Sequence, residues 1–316
     1  MGACDGAHCM IVLDFWLQVL FLAILLDIIF GEPPAFMHPV VWMGNLINFF
    51  IHLAPKRHRK LYGVFMAAFC AGTALLAAMA ILPFHEDLIK LIIAAFFLKS
   101  TFSIRMLTVS ALCIRKDLEG GNIEKVRSDL KTFVGRDTSK LNASQSASAV
   151  IESLAESFVD GILAPFFYFL LFGLPGALVY RMINTLDSMV GYEKEPFKDL
   201  GYASARLDDI ANWAPARLSL LFIFIASVFF GKPLGAVRTC IRDHSKTASP
   251  NSGWSMAAVA GTLGVRLEKA GYYVLGEKYG EPQPFHISRA ADIVGISSFL
   301  VIAGIFLIGK VGIIVY

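Results

Sequence analysis

The stretch "IESLAESFVDG" puts carboxylates at Glu152, Glu156 and Asp160. Residues four apart share one face of a helix, and like charges in that arrangement repel. The chain then turns apolar at once, as "ILAPFFYFLLFGLP". Acids placed so are candidates for holding a cation. Eight residues of helix span about 12 Å. Glu152 and Asp160 therefore do not reach one ion from a straight helix, whereas neighbouring pairs do. Either two ions bind or Asp160 has a separate task.

Further polar groups recur downstream in apolar surroundings. "RMINTLDSMVGY" spaces Arg181, Asn184 and Asp187 by threes, again on one face. "SARLDDIANW" supplies Arg206, Asp208, Asp209 and Asn212, and "RDHSKTASPNSGW" supplies Arg242, Asp243, Lys246, Ser249 and Asn251. Hard oxygen donors of this kind suit Mg²⁺, which is usually bound by one or two carboxylates together with substrate phosphates. Arg206, Arg242 and Lys246 suit the phosphates, arginine through its planar fork. Acids accompanied by cations fit a metal–phosphate substrate; a pure cation channel would need no such basic partners.

Plainer roles compete for every one of these groups. Glu152 and Glu156 fit a solvated helix face, and Asp160 before Gly161 fits a helix end. Arg181 and Asp187 fit an internal ion pair. Asp208 and Asp209 fit the wet start of a span, and "SPNSGW" fits an Asx-type turn capping the next helix. His38 and His244 read as structural hydrogen-bond partners. "CDGAHC" at the start has ligand types but lies in a terminal tail. The chain has no G-x-x-x-x-G-K-[ST], G-x-G-x-x-G after a strand, H-E-x-x-H or G-x-S-x-G. Its chemistry must use carboxylates, amides and cations.

The elements that position these groups are set by hydropathy. Of 316 residues 56% are hydrophobic and 17% charged, with 26 Phe, against about 25% charged in soluble domains; the mean hydropathy is +0.62. The fold class expected is all-α: a polytopic integral membrane protein with about four to six transmembrane helices plus broken or re-entrant and interfacial helices, since about twenty apolar residues cross a bilayer. One domain is expected over residues 1–316, with spans at 11–30, 61–83, 88–112, 214–231 and 292–315. Polar active-site segments are expected at 113–160, 181–213 and 232–280. The first apolar run is too long for a cleavable signal peptide. "GEPPAFMHPVVWMGNLINFF" starts with a Pro-Pro helix breaker and reads as interfacial or re-entrant. Gly120-Gly121 closes one short helix and Asn122 caps the next. "NASQSASAVIESLAESFVDG" reads as a helix whose small residues favour close packing. Whether "ILAPFFYFLLFGLP" crosses stays open. A net charge of +3 makes no case for a nucleic-acid partner. "KRHRK" at Lys56–Lys60 reads as a cytoplasmic topology anchor. The expected location is the cell membrane, crossed several times, with the active site facing the cytoplasm.

Several blocks together resemble one family. "LDIIFGEPPAFMHPVVWMGNLI" is similar to the N-terminal signature of the CobD/CbiB family, L-D-x-x-x-G-[DE]-P followed by H-P-V-x-W-x-G. "ESFVDGILAPFFYFLLFGLPGALVYRMINTLDSMVGY" and "GYASARLDDIANWAPARL" resemble its central signatures, and "SPNSGWSMAAVAGTLGVRL" its S-P-N-[AS]-G-x-x-[ME]-A-A-x-A-G-x-L-G-V-x-L motif. The resemblance runs from about Leu26 to Leu267. It implies an adenosylcobinamide-phosphate synthase of cobalamin biosynthesis, joining the propionate of adenosylcobyric acid to (R)-1-amino-2-propanol phosphate or a close relative, with ATP and Mg²⁺. The corrinoid is then a substrate, and the partners are the lipid bilayer and, in prospect, other membrane enzymes of the corrinoid pathway.

Residue roles follow from chemistry. Glu152, Glu156, Asp160 and Asp187 are assigned to metal–phosphate binding. Arg206, Arg242 and Lys246 clamp phosphate; Arg181 and Ser249 join them in substrate binding. Asn184, Asp208, Asp209, Asn212 and Asn251 orient the substrates, one Asp serving as base. The apolar face of the corrinoid is expected over Trp42, Trp213 and Trp254. Broken helices bearing charge also describe an ion-coupled transporter of a polar or anionic substrate, and a non-catalytic scaffold of the pathway is a third reading.

Overall fold

The computed structural model describes residues 6–310 except 86, 136 and 193, without the side chains of residues 6–14, 132 and 310. The side chains of "CDGAHC" and Asp14, and the end of the last expected span (311–315), fall outside what is described. The chain groups into two compact units, one of residues 1–103, 164–211 and 302–316, the other of 104–163 and 212–301. Four helical stretches are long and apolar enough to cross a membrane: Arg59–Met79, Leu88–Glu119, Ala143–Val190 and Pro284–Gly309. A fifth arises if Tyr202–Ala211 and Trp213–Val228 form one span. The apolar part of the first helix, Phe15–Phe30, is shorter.

The first unit contains α1 (Gly6–Phe30), α2 (Pro39–His52), α3 (Arg59–Met79) and α4 (Leu88–Lys99), followed after the excursion through the second unit by α8 (Ala164–Val190) and α9 (Tyr202–Ala211). α1 packs on α4, and α8 packs against α2, α3, α4 and α9. α8 is two helices joined at Gly173, whose φ of 64° and ψ of −156° lie far from helical values. That region is open essentially to glycine alone. Pro175 follows, in the first turn of the second arm, where its missing N–H costs nothing. On a straight helix residues eight apart are about 12 Å apart. Here a Cβ on Gly176 would lie 2.5 Å from the Tyr168 carbonyl oxygen, and the Tyr168 and Tyr180 rings stack at 5.2 Å. "ILAPFFYFLLFGLP" therefore doubles back. Its arm Ala164–Phe172 is roughly 14 Å long, about half a hydrocarbon thickness. At the open end of this hairpin Ala164, Tyr180 and Ala211 form a buried cluster, and the Tyr168 hydroxyl donates to the Ala211 carbonyl at 3.0 Å.

The second unit holds α5 (Ile104–Glu119), α6 (Ile123–Phe133), α7 (Ala143–Phe158), α10 (Trp213–Val228), α11 (Pro233–Asp243) and α12 (Ser252–Leu263). α5 stops at the Gly-Gly pair, with Gly121 at φ 72°, and the Asn122 side chain caps α6 by accepting from the Lys125 N–H. Asn142 and Gln145 close a capping box on α7. α7 is lined with buried Ser146, Ala147, Ser148 and Ala149 and lies on α5, α6 and α12. α11 and α12 approach so closely that a Cβ on Gly235 would stand 2.6 Å from the Gly261 carbonyl oxygen. Besides helices, the described residues contain a hairpin, β1 (Leu267–Lys269) and β2 (Tyr273–Leu275), antiparallel with Leu267 opposite Leu275. α13 (Pro284–Lys310) follows, its last turns belonging to the first unit.

Gly173→Ala is expected to cost about 1–3 kcal/mol, because alanine is forced into a glycine-only conformation. Melting in detergent should show it as a lower transition temperature. Gly72→Ala, at a helical glycine with open space around it, should hold or raise that temperature. Equal melting of the two variants would contradict the reversal.

Candidate functional site

In the first unit the residues of "RMINTLDSM" and "SARLDDIA" meet across α8 and α9. Arg181 donates to Asn184 Oδ1 and the Asn184 amide donates to Asp208 Oδ1, each at 3.4 Å. Asn184 is buried, and Thr185 and Ser188 hydroxyls close on the helix carbonyls four residues earlier. Asp187 lies against Gly191 and close enough to Asp209 for the two carboxylates to feel one another. Arg206 reaches Asp209 at 3.6 Å from an exposed position; a pair of that kind contributes little. Its guanidinium also lies over the Tyr202 ring, as Lys60 does more closely at 3.6 Å.

A second polar centre of this unit arises from the N-terminal signature and bears no assigned role. Lys99, at the end of α4, ion-pairs with Asp27 at 3.1 Å and Glu32 at 2.8 Å. Lys99 and Asp27 are almost fully buried. His38 starts α2 with Nδ1 accepting from the Val40 N–H. Nε2 therefore carries the proton and donates to Glu32 Oε2 at 2.8 Å. His38 is a structural partner, and the network ties α1, the loop after it, α2 and α4 together.

In the second unit the three acids of "IESLAESFVDG" part company. Glu152 is buried; Ser148 Oγ donates to its Oε1 at 2.6 Å and Tyr273 Oη to its Oε2 at 2.7 Å. Ser148 Oγ in turn accepts from the Glu268 N–H at 2.9 Å, so this side-chain chain anchors the hairpin on α7. Glu156 is exposed. Asp160 lies in a π-turn, Val159–Leu163, so the regular i, i+4 stacking ends before it. Such turns are frequent at functional sites.

The cations of "RDHSK" converge on Asp243, which is fully buried. Arg242 donates to both of its oxygens, at 2.9 and 2.8 Å. Lys246 approaches at 2.9 Å, and the Gly276 N–H donates at 2.8 Å. Burial alone would raise the Asp243 carboxyl; these donors outweigh it and hold it well below the usual carboxylate range. Asp243 had drawn no role of its own from the sequence, although an acid with cations one before and three after it was the available signal. The "SPNSGW" turn is built from Ser249, whose hydroxyl accepts from the Asn251 N–H and whose carbonyl accepts from Thr247 Oγ1. Asn251 starts α12 without a side-chain cap bond; its Oδ1 accepts from Arg217 at 3.4 Å. Asn212 is buried at the start of α10. Among the described residues no three of His, Cys, Asp and Glu gather to hold a metal ion. A Mg²⁺ completed by substrate phosphates needs only one or two carboxylates, which α7 and α8 each carry.

An all-α protein with several helices of membrane-crossing length, and acids and cations buried among them, belongs to the helical membrane-protein class. The family model described as CobD/Cbib protein matches residues 20–295, and the chain belongs to the CobD/CbiB family. It is 41% identical over 286 residues to "Cobalamin biosynthesis protein CobD" of Dehalococcoides mccartyi, covering 88% of this chain and 92% of that one. It is 42% identical over 261 residues to "Probable cobalamin biosynthesis protein CobD" of Methanothermobacter thermautotrophicus, covering 82% and 86%. For "Cobalamin biosynthesis protein CobD" of Klebsiella pneumoniae the figures are 35% over 296 residues, 88% and 93%. No solved structure gives a significant match.

The buried network yields a pH test. Burial opposes ionisation of Glu32, yet the hydrogen bond from His38 and the ion pair with Lys99 bring it from 4.5 down to about 2. A depressed carboxylate stabilises the fold at pH values above its unfolded value, and that contribution is lost as pH falls from about 4.5 towards 2. It amounts to about 3 kcal/mol at neutral pH. Glu32→Gln should melt lower than wild type at pH 7 and show a flatter decline between pH 6 and pH 3. Parallel profiles would refute the pairing.

Proposed function

We propose that the chain is a membrane-bound amide-forming ligase of cobalamin biosynthesis. It joins adenosylcobyric acid to (R)-1-amino-2-propanol phosphate with ATP and Mg²⁺ and yields adenosylcobinamide phosphate. The observation that carries this reading is family membership across residues 20–295, with relatives named for cobalamin biosynthesis. The chemistry accounts for the residues. A carboxylate is a poor electrophile because its leaving group would be oxide. Transfer of the terminal phosphoryl group of ATP to a propionate oxygen, with release of ADP, provides a better one. The amine then attacks the carbonyl carbon, the bond to the phosphate oxygen breaks, phosphate leaves, and the nitrogen gives up a proton to a base.

Bringing two anions together is the main electrostatic task, and oriented cations serve it best in a site that excludes water. Mg²⁺, when bound, would neutralise phosphate charge. Glu152, Glu156, Asp160 and Asp187 are the acids assigned to it. Glu152 is oriented by two hydroxyls, while Glu156 is exposed to meet a hydrated ion. Arg206, Arg242 and Lys246 take phosphate oxygens; Asp243 positions the last two. Arg181, Asn184, Asn212, Ser249 and Asn251 orient the substrates, and Asp208 or Asp209 takes the proton of the incoming amine. The protein is placed in the cell membrane with several crossings and its site on the cytoplasmic side, where "KRHRK" is drawn.

Purified, detergent-solubilised protein supplied with adenosylcobyric acid, the amino-alcohol phosphate and Mg–ATP should form the amide and release ADP. Glu156→Ala and Asp187→Ala should each lower product formation by at least about 100-fold while the protein stays in the membrane. Normal turnover in both variants would sink the assignment. The reversal at Gly173 is a feature an ion-coupled carrier would share; a carrier makes no amide in detergent.

A further inference from the structure

The turn "NWAPARL" opening α10 carries an arginine, Arg217, to which the proposed chemistry gives no work. Trp213 and Arg217 are four apart and share a helix face. The Arg217 guanidinium carbon lies 4.4 Å from the Trp213 ring centre and 5.0 Å from that of Trp254. One nitrogen, Nη1, donates to the Trp213 carbonyl at 2.7 Å and to Asn251 Oδ1 at 3.4 Å. His244 stacks on Trp254 with ring centres 4.2 Å apart and planes 17° from parallel. The stack thus joins the start of α10 to the segment that carries Arg242, Lys246 and Asn251.

Two features distinguish Arg217 from Arg206, Arg242 and Lys246, the cations assigned to phosphate. Among the described residues no carboxylate pairs with it, whereas Asp209 meets Arg206 and Asp243 meets both Arg242 and Lys246. Its recorded acceptors are neutral and engage a single nitrogen, although a guanidinium offers five N–H donors in one plane. Contact with indole faces fixes that plane without consuming the donors at its edge. The aromatic partners are also unfinished as a structural stack. Trp213 remains 58% exposed, and the Trp254 N–H is buried with no acceptor among the described residues, a standing cost for a donor out of water.

We propose that Arg217, with Trp213 and Trp254, binds an anionic oxygen group carried on a planar conjugated ring system. Arg217 takes the phosphate or carboxylate through its remaining N–H donors, and the open face of Trp213 stacks on the ring. The inference rests on the proposed function, in which two substrates have this chemistry: the nucleotide, with adenine and phosphates, and the corrinoid, with its conjugated macrocycle and carboxylate.

Binding of Mg–ATP and of adenosylcobyric acid is measured separately, by equilibrium dialysis, on full-length detergent-solubilised protein. Wild type is compared with Arg217→Met, Arg217→Lys and Trp213→Ala, with melting temperatures taken in parallel. Arg217→Met and Trp213→Ala should weaken the same ligand by about tenfold or more and leave the other unchanged. Arg217→Lys, which keeps the charge without the fork, should fall between. The ligand that weakens identifies the source of the anion. If Arg217→Met does not fold, Arg217→Lys and Trp213→Ala decide. Unchanged affinity for both ligands in folded variants overturns the proposal and leaves the functional reading intact. Equal weakening of both ligands in step with a lowered melting temperature also overturns it, by making the stack structural. Wild-type protein that binds neither ligand and forms no amide overturns the functional reading and this inference with it.

Discussion

A charge buried among apolar helices costs several kcal/mol unless a partner meets it, and that constraint organises both units. Lys99 is held by Asp27 and Glu32, and Asp243 by Arg242, Lys246 and a backbone N–H. Glu152 is held by two hydroxyls. In the Lys99 and Glu152 networks the partners come from separate elements, so satisfying the charge also fixes tertiary position. Asp27 lies on α1, Glu32 in the loop after it and Lys99 at the end of α4. Tyr273 comes from the hairpin and Glu152 from α7. Removing one partner leaves the other charged or polar group out of water and unpaired, which is more damaging than losing the contact itself.

Local signals were the most legible. Gly120-Gly121 and Asn122 stop and start helices as their types require, because capping depends on a few neighbouring backbone groups. The helical, apolar class followed from composition for the same reason: burying peptide groups in lipid admits few solutions. The reversal in "ILAPFFYFLLFGLP" was harder to read. A glycine two residues before a proline fits a kink as well as a full turn, and only packing of Gly176 on Tyr168 selects the turn. The hairpin was hidden in "VRLEKAGYYVLG", whose alternation around Gly271 is a short strand signal inside a stretch that its charges marked as a polar active-site segment.

The site residues divide along the same line. Spacing put Arg181 beside Asn184, and the two are hydrogen-bonded, since that pairing follows from helix period alone. Spacing did not foretell that Asp208 would meet Asn184, nor that Tyr273 would meet Glu152 from 121 residues away. Asp243 was visible as a letter between two cations, but its burial was not. Without burial an acid flanked by bases reads as one more surface charge.

Charge bookkeeping then separates anchoring from recognition. A cation whose donors are spent on a buried carboxylate is first a positioned object, and it meets a substrate only with what remains. Arg242 gives two donors to Asp243 and keeps others; Lys246 gives one. Arg217 is positioned by indole faces and neutral acceptors instead, so its full positive charge stays available to an incoming anion. An aromatic seat orients an arginine without neutralising it, and that combination is electrostatically useful where an anionic ligand supplies the missing negative charge.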